Sequence, residues 1–264
     1  MRSLLIALSV LFMFTAPATA ERFVLRYEGV GLGVAPLGGV TVDADVRDDG
    51  YDIAASMQSS GFINVFERTA IEASASGDIR NGAVFWRRYD LDHRYSQKRR
   101  QIGMQVDDGG AVIAEINPNY RLWGQPATND EQRRLSRDPL SSMVAMSIDV
   151  GQTRRCTGAY PTFDGRFHYL LELAGGEVDS FDGAGYQGDV LKCSLAYIAV
   201  AGYEPRDAGR TRIPHGEVWF ALMPDTSFAP VVRIATPWPR RAVIRLREFR
   251  RARVDVQYTT APSP

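Results

Sequence analysis

The segment Phe163-Asp164-Gly165-Arg166-Phe167-His168-Tyr169 holds the densest group of chemically capable side chains in this sequence. Read as one strand, it puts Asp164, Arg166 and His168 on a common side, about 7 Å between next-but-one neighbours. An acid, a guanidinium and an imidazole in a row suit a polar or anionic group, or the centre of a hydrolase or transferase. The plainer alternative is that Asp164 caps a turn or pairs with Arg166, while His168 faces solvent. Gly165 permits a bulge or a close backbone approach there. Other constellations are weaker. The histidines are His93, His168 and His215, at spacings that match no zinc pattern, so neither metal nor cofactor is expected. No Gly-x-Ser-x-Gly elbow is present. Gly29-Val30-Gly31-Leu32-Gly33 lacks the Lys-Ser/Thr ending of a phosphate loop and reads as a glycine-bent strand and turn. The paired acids Asp43 and Asp45, Asp48 and Asp49, and Asp107 and Asp108 fall in strand faces or turns, where solvated charge is the default.

A second candidate is apolar. Phe62, Phe66, Trp86, Met143, Met146, Trp219 and Phe220 are large or pliable enough to line a greasy concavity between a sheet and a helix. The alternative is that they fill the core. Basic residues also gather at Arg87, Arg88, Arg94, Lys98, Arg99 and Arg100, and from Arg240 to Arg253. They read either as solvated strand faces or as a surface for an anionic partner such as a lipid headgroup or acidic glycan.

The elements that must position these residues are strands. Val40, Val42, Ala44 and Val46 alternate with Thr41, Asp43 and Asp45; Tyr51, Ile53, Ala55 and Met57 alternate with Asp52, Ser56 and Gln58. Asp48-Asp49-Gly50 between them is a hairpin signal. The same period places Phe163, Phe167, Tyr169, Leu171 and Leu173 on one face, and recurs at Leu191 to Tyr197 and at Val254, Val256 and Tyr258. Further strands are predicted at 23–30, 69–76, 83–95, 99–106, 111–117, 216–223 and 230–236. One apolar and one polar face is the pattern of an antiparallel sheet wetted on one side. The predicted fold is therefore mostly β: a single curved antiparallel sheet curling into an open or closed barrel-like clam. One short helix, about 138–148, opens at Asp138-Pro139 with Asp138 as N-cap, its face marked by Leu140, Met143, Val144 and Ser147. Residues 118–137 read as a polar loop and the only plausible seam.

Composition bounds the function. The 264 residues carry 31 basic and 31 acidic side chains, a balance that argues against nucleic acid. Arg2, the apolar run Leu4 to Phe14 and Ala18-Thr19-Ala20 form a signal-peptide pattern, with cleavage expected before Glu21. That run is too short to cross a bilayer, for which about 20 apolar residues are needed, and no later segment approaches it. The reading divides the chain into a cleaved leader 1–20, one β domain 21–260 and a disordered tail 261–264. In an oxidising compartment the two cysteines, Cys156 and Cys193, are expected to form a structural disulfide.

Several stretches together carry a family likeness: Gly50-Tyr51-Asp52-Ile53, Asp138-Pro139-Leu140-Ser141, Cys156 ahead of Phe163-Asp164-Gly165-Arg166, Tyr186-x-Gly188 before Cys193, Gly202-Tyr203, Val218-Trp219 and Pro230 to Ile234. In this order they make the chain resemble the uncharacterised bacterial domain-of-unknown-function 3108 family. It departs from that pattern after Tyr169, where Leu170 stands in place of an expected acid. The resemblance implies an exported, mostly β protein of the bacterial envelope and no known reaction. By analogy of fold it suggests a curled sheet similar to Lol-type lipoprotein carriers. The expectation is a non-catalytic periplasmic protein that binds an apolar or amphipathic envelope molecule, or a protein partner, in support of envelope integrity. The alternatives are an envelope hydrolase or transferase centred on Asp164, Arg166 and His168, and a structural partner in an envelope assembly.

Overall fold

A computed structural model describes residues 19–32, 35–61, 68–236 and 242–255. The leader ahead of Thr19, Phe62, Phe66, the strand end at Val256 and Tyr258, and the tail 261–264 lie outside the described residues. No helix among the described residues is long and apolar enough to cross a membrane.

The alternating segments form β1 (Thr19–Gly31), β2 (Ala35–Arg47), β3 (Gly50–Ser59), β4 (Thr69–Arg80), β5 (Ala83–Tyr95), β6 (Lys98–Val106) and β7 (Val112–Asn117). After an interval come β8 (Ala159–Phe163), β9 (His168–Gly183), β10 (Tyr186–Ala201), β11 (Gly216–Ala221), β12 (Val231–Ala235) and β13 (Val243–Asp255). All belong to one 13-stranded sheet, ordered β7-β6-β5-β4-β3-β2-β1-β13-β12-β11-β10-β9-β8. Two antiparallel meanders are thus joined through their outermost sequence segments, with Phe23 opposite Arg251 and Leu25 opposite Phe249. Extra residues Arg247, Arg87 and Val232, opposite Arg26/Tyr27, Ser76/Gly77 and Trp219/Phe220, break the register. Such bulges bend a strand and increase its twist, which curls the sheet. It does not close: β7 and β8 are its two edges.

Curling turns one face inward. Phe23, Leu25, Ala44, Tyr51, Ala75, Tyr89, Met104 and Leu173 are buried there, as the period-two pattern demands. The outer face carries cross-strand ion pairs, including Arg22–Asp43, Arg47–Asp52 and Arg99–Asp92. The Arg87 guanidinium beside Asp78 and the Arg99 guanidinium beside Asp92 hold both carboxyls down at about 2.

The hollow is filled by a helix. The interval after β7 contains α1 (Asp130–Arg134) and α2 (Pro139–Thr153). Asp138 caps α2, accepting from the Leu140 and Ser141 amides at 2.9 Å. Two features differ from the expected helix. It runs to Thr153 and stops at Arg154, whose φ is 55°. It is also buried on nearly every side: Ser141, Ser142, Val144, Ala145, Met146, Ser147, Ile148 and Val150 are all inaccessible, while Leu140 and Met143 are half-buried. A one-sided stripe was the wrong template because the sheet surrounds this helix. Its serines bind the wall. Tyr51 donates to Ser141 Oγ at 2.6 Å, Ser142 and Thr162 hydroxyls meet at 2.8 Å, and the Ala229 amide reaches the Ser147 carbonyl at 2.9 Å.

The stretch 118–137 is not an unstructured seam. Asn129 caps α1 in a reciprocal capping box with Gln132. Residue 137 then covers the open side. Along the β8 edge, Arg137 N donates to the Pro161 carbonyl and the Arg137 carbonyl accepts from Phe163 N, both at 2.9 Å. Its Nε donates to the Val84 carbonyl, at the end of β5 that β6 leaves unpaired. A last pair of turns, the 3-10 helix Pro205–Asp207 and α3 (Ala208–Thr211), follows β10.

Cys156, just past α2, is bonded to Cys193 on β10, with Cα atoms 5.5 Å apart. The link closes a separation of 37 residues, for which chain-entropy arguments give about 3–4 kcal/mol. Replacing both cysteines with serine is expected to lower unfolding free energy by about that amount in urea titration. Equal midpoints for oxidised and reduced wild type would contradict it.

Asp138 is fully buried, and desolvation pushes its carboxyl up to about 6 against the opposing pull of its hydrogen bonds. A carboxyl with its folded pKa above the unfolded value favours folding most when protonated. That contribution is whole below about 3.8 and is lost as pH rises through about 6, a change of about 3 kcal/mol. Asp138→Asn keeps a capping oxygen that cannot titrate. Relative to the variant, wild type is expected to lose up to about 3 kcal/mol between pH 4 and pH 7. A difference that stays constant over that range would mean the carboxyl titrates normally.

Candidate functional site

Asp164, Arg166 and His168 do not share a strand face. Phe163 pairs with His168, so residues 164–167 are the hairpin turn between β8 and β9. Asp164 makes that turn: one carboxylate oxygen accepts the amides of Arg166 at 3.0 Å and Phe167 at 2.8 Å. Gly165 (φ 97°) supplies the left-handed residue, and a Cβ there would lie 2.9 Å from Ile102 Cγ2 on β6. The turn therefore leans across the open side of the curl onto the far wall. His168 opens β9 on the face opposite Tyr169 and is buried, not solvent-facing, with no hydrogen-bond partner on either ring nitrogen. Burial lowers its pKa and keeps the ring neutral. Strand periodicity failed here because an Asx turn interrupts it, and Asp-Gly was the signal for that turn.

Asp164 and Arg166 are brought together, with residues the sequence reading did not single out. They line a cavity of about 570 Å³ at the mouth of the curl. One wall is the inner face of β5 and β6. Register places Tyr89 beside Met104, Leu91 beside Ile102, His93 beside Arg100 and Tyr95 beside Lys98. The wall thus grades from apolar in the core to cationic at the rim. The opposite wall is Phe167, Tyr169, Tyr120 and Arg210. Arg166 is 5% exposed; its Nη2 meets Asp207 at 3.0 Å, and its guanidinium lies 4.7 Å from the Phe167 ring and 5.2 Å from the Tyr120 ring. Phe167 stacks on Tyr203 at 4.6 Å and Tyr169 on Tyr197 at 4.5 Å, while the Tyr197 and Tyr203 hydroxyls meet at 2.5 Å. Burial pushes all these phenols up, so they remain protonated. Burial also raises the Asp164 carboxyl, opposed by the Phe167 and Arg166 amides.

The wall carrying Arg166 is pinned from behind. Thr128 donates to the Arg166 carbonyl at 3.0 Å, and the Gln125 amide to the Tyr203 carbonyl at 3.1 Å. A Cβ on Gly202 would fall 2.2 Å from the Arg166 carbonyl oxygen, so only glycine admits that approach.

The two basic stretches resolve differently. In the first, alternation and the β5 bulge send Arg87, Arg88, Arg94 and Arg99 outward onto Asp78, Asp90 and Asp92. Arg100 turns inward to the rim, with its Nε on the Pro118 carbonyl and its guanidinium 4.0 Å from the Tyr120 ring. In the second, Arg245 and Arg247 meet Glu28, and Arg251 and Arg253 meet Asp225. A larger hollow of about 810 Å³ crosses the outer face of β2 to β7 past Asp43, Glu72, Asp90 and Asp92. It is an open depression in which Asp43, Asp90 and Asp92 are already paired with Arg22, Arg88, Arg94 and Arg99.

The described members of the predicted apolar lining are core residues or pack against the core. Met146 and Phe220 are core residues, Trp86 is buried with its indole N–H on the Ser136 carbonyl, and Met143 is half-buried. Trp219 is covered by Lys192 at 5.4 Å and Arg233 at 4.8 Å. The described residues contain no group of three or more His, Cys, Asp or Glu side chains placed to hold a metal ion.

No protein-family model matches the chain, and no curated protein does. Among solved structures, it is similar to a crystal structure of a beta-barrel-like protein of the domain of unknown function DUF1849 from Brucella abortus. Identity is 10%, the TM-score is 0.50, and the match covers 86% of this chain and 96% of that one. That likeness is one of fold: the chain is a beta-barrel-like domain.

Proposed function

We propose that this protein is a non-catalytic binding protein of the bacterial envelope that holds an amphipathic envelope molecule in the cleft at the mouth of its curled sheet. The observation that carries the reading is the graded inner wall, from Tyr89 and Leu91 through Ile102 to Arg100, closed over by the Asp164–Phe167 turn. Ligand cavities combine an apolar lining with a few convergent polar groups, and this one does. Export to the periplasm through a cleaved leader is part of the proposal; the Cys156–Cys193 disulfide suits an oxidising compartment. The resemblance to domain-of-unknown-function 3108 proteins supports the same setting.

A hydrolase or transferase is less well supported. Of its three residues, Asp164 and Arg166 reach the cleft. Asp164 already holds the turn through one oxygen, Arg166 is engaged by Asp207, and His168 lies on the other face of β9. A purely structural role would leave the cleft without an occupant.

Disulfide-intact protein is expected to take up one equivalent of the neutral fluorophore N-phenylnaphthylamine. Leu91→Trp, which fills the inner part of the cleft, should abolish uptake in protein that keeps its far-ultraviolet dichroism. Absence of saturable uptake by wild type, or uptake indifferent to Leu91→Trp, would sink the cleft reading. When expressed with its leader, the protein recovered from the periplasm should begin at Glu21. Recovery of the uncut chain in the cytoplasm would sink the export part.

A further inference from the structure

The cleft continues outward into a second chamber of about 450 Å³, and the two share Tyr95, Arg100, Tyr120 and Arg166. The outer chamber adds Lys98, Arg99, Arg121 and Arg206, with Pro118 and Asn119, and no carboxylate lines it. Two of its cations are answered: Arg99 by Asp92 and Arg166 by Asp207. Lys98, Arg100, Arg121 and Arg206 have no carboxylate within ion-pair distance among the described residues. This is unlike Arg22, Arg87, Arg88, Arg94, Arg247 and Arg251, each set against an acid. Arg100 is held in place by Tyr120 and the Pro118 carbonyl. Arg166, nine-tenths buried between the chambers, keeps an Nε with no hydrogen-bond partner.

Resting on the binding role argued above, we infer that the outer chamber is an anion site and that the ligand is a phosphate-bearing amphiphile. Its phosphate sits among Lys98, Arg100, Arg121 and Arg206, and its apolar body lies inward against Leu91, Ile102 and Phe167. Four uncompensated cations exceed the single charge of a carboxylate. A phosphate monoester carries about −1.5 to −2 and three strong acceptor oxygens. Guanidinium groups match such oxygens in pairs, and a cleft lined by one sign of charge concentrates its field.

The test is displacement of N-phenylnaphthylamine by dodecyl phosphate and by dodecanol, which share the chain and differ in the head. Wild type should prefer the phosphate by roughly tenfold to a hundredfold, since a hydrogen bond to a charged group contributes about that factor. In the triple variant Lys98→Gln, Arg121→Gln, Arg206→Gln the ratio should fall toward one. A ratio near one in wild type, or one unchanged in the variant, overturns the anion site and leaves the cleft reading standing. If neither amphiphile nor fluorophore binds, the cleft reading fails, and calorimetry with inorganic phosphate decides the anion site. Binding lost in the triple variant assigns it to free phosphate; no binding overturns it.

Discussion

A sheet that curls without closing leaves two edges and a concave face in need of cover, and in this protein one stretch of chain supplies both. The segment from Pro118 to Arg154 crosses from edge to edge, lays residue 137 along β8, and drops α2 into the hollow. At its hinge is Asp138, wholly desolvated and bonded to Leu140, Ser141 and, through the Ser141 hydroxyl, to Tyr51 on β3. Burying a carboxyl is costly unless its oxygens are satisfied, so this contact ties helix position to wall position. Everything at the mouth depends on it, because Pro139 forms the floor between the Tyr89 wall and the Asp164 turn.

The wall itself was legible from the sequence. The alternation from Tyr51 to Met57 and the strand proposed over 83–95 match the observed sheet, because one buried and one wet face force a period of two. The curl and the cap at Asp138 also follow from local signals, whereas nothing local distinguishes an open sheet from a closed one. The site was legible only in part. Arg166 was singled out, yet as a member of a row that an Asx turn dismantles. The basic run from Arg87 to Arg100 held the better signal. Its outward members meet aspartates two positions away or on the next strand, and the inward Arg100 meets Tyr120. Separating them requires the β5 bulge, which a period-two reading cannot place. Tyr120 comes from a loop, and Asp207 and Arg210 from short helical turns, whose positions are set by long-range bonds such as Gln125 to Tyr203. No local pattern encodes those.

Charge is arranged so that the outside of the barrel-like body is largely self-neutralised, while the rim keeps cations in reserve. The paired exterior contributes little to stability, since exposed ion pairs are worth about 0–1 kcal/mol each. Against that background Lys98, Arg100, Arg121 and Arg206 gather at one opening, where the apolar gradient of β5 and β6 begins.

The pairing of β1 with β13 sets the order of assembly. As the chain is made, β1 finds only one of its two neighbours, β2, among the residues that follow closely. The other arrives more than 200 residues later, as Val24 facing Arg250 makes plain. The seam down the middle of the sheet is thus the last to knit. Until then, the amino-terminal meander carries a long unpaired edge along β1. A chain built this way folds slowly and depends on keeping its emerging half apart from other copies of itself.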